Sequence, residues 1–183
     1  MIKNTQAEGN TIENCLVAVD LIDDGSMIRD NFISQCDLGI KLIGGSNIVR
    51  DNTIADCSQG IVIGMGQQSN QIHYNQLLGN ITQAHDNGFN NLWDDENSEK
   101  GNLWSDYEGT DMNGDGIGDT PYYIAPNGID RYPQMPSTPP KNPPDDNGDG
   151  DDSNGNVDNG NGSGSSGSCF IGTSSHSLRG YRQ

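Results

Sequence analysis

The sequence is short of positive charge: 9 Lys and Arg stand against 26 Asp and Glu, a formal charge of −17. Nucleic acid and anionic membrane surfaces are held by patches of Lys and Arg, so neither is an expected partner. No apolar run is long enough to span a bilayer, which leaves no expected transmembrane segment. The opening stretch, MIKNTQAEGN, has no basic-then-apolar signal peptide. Aromatic residues make up only 6% and hydrophobic residues 31%, a composition that would mean disorder if it were uniform. It is not uniform, because the apolar residues concentrate before Tyr132. Cysteine is scarce too, and none of Cys15, Cys36 and Cys57 belongs to a C-x-x-C pair, which speaks against a metal or redox cluster.

What the chain does have is a repeat. Three segments, GNTIENCLVAVDL from Gly9, DNFISQCDLGIKL from Asp30 and DNTIADCSQGIVI from Asp51, align without gaps. Asn10, Asn31 and Asn52 fall in one column. Ile12, Ile33 and Ile54 fall in another, then Cys15, Cys36 and Cys57, then Val19, Ile40 and Ile61, then Leu21, Leu42 and Ile63. A fourth copy with a two-residue insertion supplies Asn75, Leu77, Asn80 and Ala84, and Ile28, Val49 and Ile72 keep the same phase. A period near 20 fits either leucine-rich repeats or a β-solenoid. These copies are rich in Ile, Val, Asn and Gly, and they alternate with a period of two, as short strands joined by tight turns do. Each copy is therefore read as one coil of an all-β, single-stranded parallel β-helix of about four coils, with matched residues stacked about 4.8 Å apart. The Asn column is assigned to a turn, its amides bonding to the coils above and below while its backbone takes the left-handed conformation. The Cys column reads as thiols filling an interior corner.

Residues 9–89 resemble the right-handed parallel β-helix repeat family, in particular its NosD-like and carbohydrate-binding/sugar-hydrolase branch. After Phe89 the repeat stops, and the block from residue 90 to 135 is similar to the C-terminal segment of NosD-like proteins, GNxWSDYxGxDxNGDGIGDxPYxI followed by xDRYP. The matching residues run from Gly101, Asn102, Trp104 and Tyr107 through Asp111 and Asn113–Asp119 to Asp130, Arg131, Tyr132 and Pro133. Both Trp and four of the six Tyr lie here, as expected of a cap over the open end of a solenoid. Trp93, Trp104 and Tyr107 are also the candidates for stacking on a sugar ring. Within the block, Asp111, Asn113, Asp115, the carbonyl of Ile117 and Asp119 follow the spacing of an EF-hand-type calcium loop. Tyr122 stands where a bidentate Glu should close it, so the missing oxygens would come from Asp106, Asp130 or water. Ten acidic residues against one Lys between Asp94 and Asp130 favour a bound Ca²⁺.

The expected organisation is thus coils over 1–89, a cap over 90–135, a Pro-rich then Asp/Asn/Gly/Ser-rich disordered linker over 136–168, and a tail over 169–183. The tail resembles a CFI-box sorting segment, which implies processing or attachment at Cys169. The primary functional expectation is a non-catalytic extracellular, cell-surface or periplasmic β-helix module, with carbohydrate or a cell-envelope component as possible partner. The repeat also leads us to expect further coils upstream of Met1. An alternative, a polysaccharide lyase or glycoside hydrolase, would use the outward column of Arg29, Arg50 and His73 beside Asp30 and Asp51. These columns serve equally well as surface ion pairs. The NosD resemblance implies a third reading, periplasmic copper handling, with Met65, His73 and His85 as the nearby soft donors.

Overall fold

A computed structural model describes residues 5–136; the expected linker beyond Pro136 and the tail with Cys169 lie outside the described residues. Four turns of a parallel β-solenoid follow one another, each built from two three-residue strands and one five-residue strand. The first turn holds β1 (Gln6–Glu8), β2 (Thr11–Glu13) and β3 (Val17–Leu21), and the second β4 (Met27–Arg29), β5 (Phe32–Ser34) and β6 (Leu38–Leu42). The third holds β7 (Ile48–Arg50), β8 (Thr53–Ala55) and β9 (Gln59–Ile63), and the fourth β10 (Gln71–His73), β11 (Gln76–Leu78) and β12 (Thr82–Asp86). Corresponding strands pair in parallel, giving three sheets in the orders β1-β4-β7-β10, β2-β5-β8-β11 and β3-β6-β9-β12.

The register is the one the repeat predicts. Ile12 pairs with Ile33, Ile33 with Ile54 and Ile54 with Leu77, while Val19, Ile40, Ile61 and Ala84 form the matching file on the third sheet. Ile33, Ile54, Ile40, Ile61, Val49, Ile72 and Leu77 have no exposed surface at all. Burial of each side chain contributes roughly 1.5–3 kcal/mol, and an interior three strands wide has no space left over. Gly39 and Gly60 show how tight it is: a Cβ on Gly39 would lie 2.6 Å from the Gly60 carbonyl oxygen and 2.8 Å from the Ile54 side chain.

Each corner between sheets is made the same way. One residue takes positive φ and the next points inward. At the first corner the positive-φ residues are Gly9, Asp30, Asp51 and Tyr74, and the inward residues are Asn10, Asn31, Asn52 and Asn75. The left-handed conformation therefore belongs to the residue before each Asn, not to the Asn as the sequence suggested. An extended Asn backbone can present both its N–H and its carboxamide along the solenoid axis, which the left-handed form would turn aside. The second corner places Asn14, Gln35, Asp56 and Gly79 ahead of Cys15, Cys36, Cys57 and Asn80. The third places Gly25, Ser46, Ser69 and Asn90 ahead of Ser26, Asn47, Asn70 and Asn91.

The first corner is a continuous amide ladder. Asn31 donates its backbone N–H and its Nδ2 to Asn52 Oδ1 (3.1 and 2.9 Å), and Asn52 does the same to Asn75. Each Nδ2 also donates to two backbone carbonyls, those of Ile28 and Arg50 in the case of Asn52. Asn52→Ala removes the acceptor from two buried donors of Asn31 and the donor from two carbonyls. The expected loss is about 3 kcal/mol in urea unfolding, against under about 1 kcal/mol for Asn10→Ala at the exposed end; equal losses would show that the ladder does not carry the corner.

Candidate functional site

The candidate site is the end of the solenoid where the repeat stops. The parallel pairing of the coils continues into the capping block from residue 90. Leu92 bridges to Gln71 in the first sheet, and β13 (Leu103–Trp104) pairs in parallel with β11 in the second. Leu77 and Trp104 are partners, so Trp104 crowns the Ile12–Ile33–Ile54–Leu77 file, and Trp93 follows Ile72 in the same manner. The third face is closed by a hairpin of β14 (Tyr122–Ile124) and β15 (Gly128–Asp130), with Asp86 bridging to Pro126. Trp93 and Trp104 are 0% and 1% exposed, 5.9 Å apart between ring centroids, and Tyr122 stacks flat on Trp104 at 4.2 Å. The rings are packed as lid, and neither Trp has a free face to offer a sugar. Tyr107 is partly exposed, but its hydroxyl donates to the Thr120 carbonyl (2.6 Å), and its ring fills the space where Gly109 and Gly118 lack a Cβ.

Below this lid both ladders need an end. A rung donates two N–H groups upward, so the last Asn must meet an acceptor that asks for nothing in return. Asn75 donates to Asn102, and Asn102 donates its N–H to Asp130 Oδ2 at 2.7 Å. The same oxygen accepts the Trp104 Nε1–H at 2.8 Å, and Oδ1 accepts the Tyr132 N–H at 3.1 Å. The third corner ends alike: Asn47, Asn70 and Asn91 follow in series, and Asp86 accepts from Asn91 Nδ2 (2.9 Å) and from Trp93 Nε1 (2.8 Å). This second ladder and both terminal carboxylates were missed from the sequence. The recurrence of Asn47, Asn70 and Asn91 one turn apart was the available signal; nothing local marks Asp86 or Asp130.

Asp130 has no exposed surface. Burial pushes its carboxyl up to about 6, against the pull of the N–H groups it accepts. Beside it, the buried Asp94 is held by Arg131, which donates Nη2 and Nε to it at 2.5 and 3.0 Å and Nη1 to Glu96 at 2.5 Å. A cleft of about 120 Å³ opens next to this pair, lined by Gln71, His73, Leu92, Asp95 and Asn97 among others. His73 Nδ1 is buried there without a hydrogen-bond partner, and burial pulls its basicity below that of a free imidazole. On the outer face the Arg29 and Arg50 column is consumed by ion pairs: Arg29 meets Glu8 (2.5 Å) and Asp30 (3.1 Å), and Arg50 meets Asp51.

The expected calcium loop closes on its own backbone. Asp111 Oδ1 accepts from the N–H of Gly114 and Asp115, and Oδ2 from Gly116. Asp115 accepts from the Ile117 N–H and from Asn113 Nδ2, and Asp119 from the Met112 N–H and the Thr110 hydroxyl. The oxygens face N–H donors instead of one common point. Asp130 accepts from its ladder and Asp106 from the Tyr122 hydroxyl. Among the described residues no group of three or more His, Cys, Asp or Glu side chains is arranged to hold a metal ion.

Soft donors do not converge either. His73 lies on the first sheet and His85 on the third, while Met65 is 87% exposed in a turn. Cys15 and Cys36 have sulfurs 2.8 Å apart. Two thiolates sharing one tetrahedral first-row metal at bond lengths of about 2.3 Å would stand roughly 3.8 Å apart, so copper does not fit between these two as they lie.

Among known proteins, the family model described as periplasmic copper-binding protein (NosD) matches residues 1–109. No curated protein and no solved structure matches the chain. No helix among the described residues is long and apolar enough to cross a membrane.

The raised carboxyl of Asp130 fixes the sign of a pH effect. Its folded value of about 6 lies above the ordinary 3.8, so the native state keeps a proton that the unfolded chain has released. The stabilisation is complete below about pH 4 and is lost as pH rises through 6. The melting temperature of the native protein relative to Asp130→Asn should therefore fall between pH 4 and 6.5; a difference that stays flat, or rises, would contradict the assignment.

Proposed function

The chain belongs to the NosD family of periplasmic copper-binding proteins, and from that premise we propose that it is a non-catalytic periplasmic β-solenoid module. It acts as a rigid, end-sealed rod and holds no copper centre within residues 5–136. One observation carries this reading: both amide ladders terminate in buried carboxylates that also anchor the two lid tryptophans. That is the construction of a stiff structural end, with the terminal amides and both indole N–H groups spent internally. The soft donors support the same view, being divided among separate sheets and turns. In this reading the family's copper function is served by shape and by partners, and the described residues of this chain contribute the scaffold.

Carbohydrate or cell-envelope binding draws no support from Trp93 or Trp104, whose faces are covered. The lyase or hydrolase alternative loses its arginines to ion pairs with Glu8, Asp30 and Asp51. Calcium is unnecessary to a loop already held by N–H donors.

Two measurements test the reading. Cu(I) titrated against a competing chelator should show the same affinity for the native protein, Cys15→Ser and His73→Ala; a weakening of about tenfold, or 1.4 kcal/mol, in either variant would place copper on the described residues. Calcium and a chelator should each leave the melting temperature within about 1 °C of its starting value, since the loop's oxygens are already satisfied. A calcium-dependent rise abolished by Asp111→Ala would restore the ion to Asp111–Asp119.

A further inference from the structure

Two corners of the solenoid are lined by Asn, or by Ser and Asn, and the remaining one is lined by sulfur. Cys15, Cys36 and Cys57 occupy the positions that Asn10, Asn31 and Asn52 hold at the first corner, each following a residue of positive φ. Asn80 then replaces the thiol in the fourth turn and accepts the Cys57 N–H at 2.9 Å. A thiol is a poor substitute for a carboxamide in such a file, since its S–H is a weak donor and its sulfur a weak acceptor. Cys36 and Cys57 use their S–H on the carbonyls of Ser34 (3.2 Å) and Ala55 (3.4 Å) within their own turns. The contact that links the first and second turns in this file is Cys15 Sγ to Cys36 Sγ, at 2.8 Å. All three thiols are free.

We propose that Cys15 and Cys36 form a disulfide that ties the first turn of the solenoid to the second. Parallel strands set the two Cα atoms about 4.8 Å apart, inside the range of roughly 4.4–6.8 Å that disulfides span. The side chains already face each other at 2.8 Å, and closing the bond shortens that contact to about 2.05 Å. The two cysteines differ in access: Cys15 is partly exposed, whereas Cys36 is 3% and Cys57 1% exposed. The oxidant is a disulfide donor, either a small disulfide or the disulfide of an oxidoreductase, as found in the oxidising periplasm in which the family is placed.

The exchange balances in two steps. The Cys15 thiolate attacks one sulfur of the donor, forming a mixed disulfide and releasing a first thiolate. Cys36 then gives up its proton and attacks Cys15 Sγ, and the second donor sulfur leaves as a thiol carrying that proton. Two cysteines lose two electrons and the donor disulfide gains them. Cys57, in the third turn, stays reduced. Hydrogen bonding to Cys36 and burial push the Cys15 thiol up to about 11, so the first step is slow at neutral pH.

The test uses the full chain, reduced and then exposed to oxidised glutathione at pH 8, alkylated in denaturant and digested with trypsin. Arg29 and Arg50 lie between the three cysteines, so each falls in a different peptide. The expected product is a Cys15–Cys36 linked peptide with Cys57 alkylated. It should form about tenfold or more faster in native buffer than in urea, because folding holds the sulfurs in contact. The oxidised protein should also melt higher than the reduced one, and Cys15→Ser should abolish the linked peptide and the shift together. Glutathione retained on Cys15, a dominant Cys36–Cys57 or Cys169 linkage, or equal rates in buffer and urea would each overturn the proposal. None of these readouts involves copper, so the result is independent of the scaffold reading above.

Discussion

The structure depends on the polarity of its amide ladders. At the first corner each Asn passes two N–H groups to the carboxamide oxygen of the next turn, as Asn52 does to Asn75 and Asn75 to Asn102. A directional chain of donors can repeat indefinitely, but it cannot stop on another Asn, because the last amide would be left with buried hydrogens and no acceptor. A carboxylate is the group that accepts without donating. Asp130 and Asp86 therefore fix where the solenoid ends, and they do so at the cost of burying charge. The indole N–H groups of Trp104 and Trp93 share that cost, which couples the lid to the ladder below it.

This coupling explains the arrangement of the cap. The fifth turn starts in register through Leu92 and Trp93, departs through residues 94–101, and returns at Asn102 and Trp104 in time to supply the next rung and the next core residue. The excursion is pinned by Arg131, which reaches from beyond β15 to Asp94 and Glu96. The Asp-rich loop from Thr110 to Thr120 is fastened around Tyr107. Acidic residues here serve as acceptors for backbone N–H groups, as Asp111 does for Gly114, Asp115 and Gly116. The spacing that suggested an EF-hand is the spacing of successive side-chain-to-backbone turns, which a calcium loop shares because it uses the same local bonds.

Much of the fold was legible. The Ile, Val and Leu files, the four turns and the identity of the capping block can all be read from residues that recur one turn apart. The corner conformation was placed one residue late, on Asn in place of Asp30, Asp51 and Tyr74, because a column shows that a position is special without showing which φ it takes. Trp93 and Trp104 could be read either as lid or as sugar platform, since composition does not report which side of a ring is covered. The second ladder went unseen because Ser26 opens it and a two-residue insertion shifts its spacing between Asn47 and Asn70.

The sequence alone determined the period, the register and the side chains that fill the interior, because in a parallel stack each residue meets its own counterpart one turn away. It could not determine the ends. Asp86, Asp94, Asp130 and Arg131 acquire their roles from groups far away in the chain, as Asp130 does from Asn102 and Trp104. No repeat encodes such a meeting, since it happens once, at the place where translation along the axis is broken. Whether a carboxylate ends a ladder, closes a loop or binds a cation is decided by which donors the fold brings to it, and only the tertiary structure supplies them.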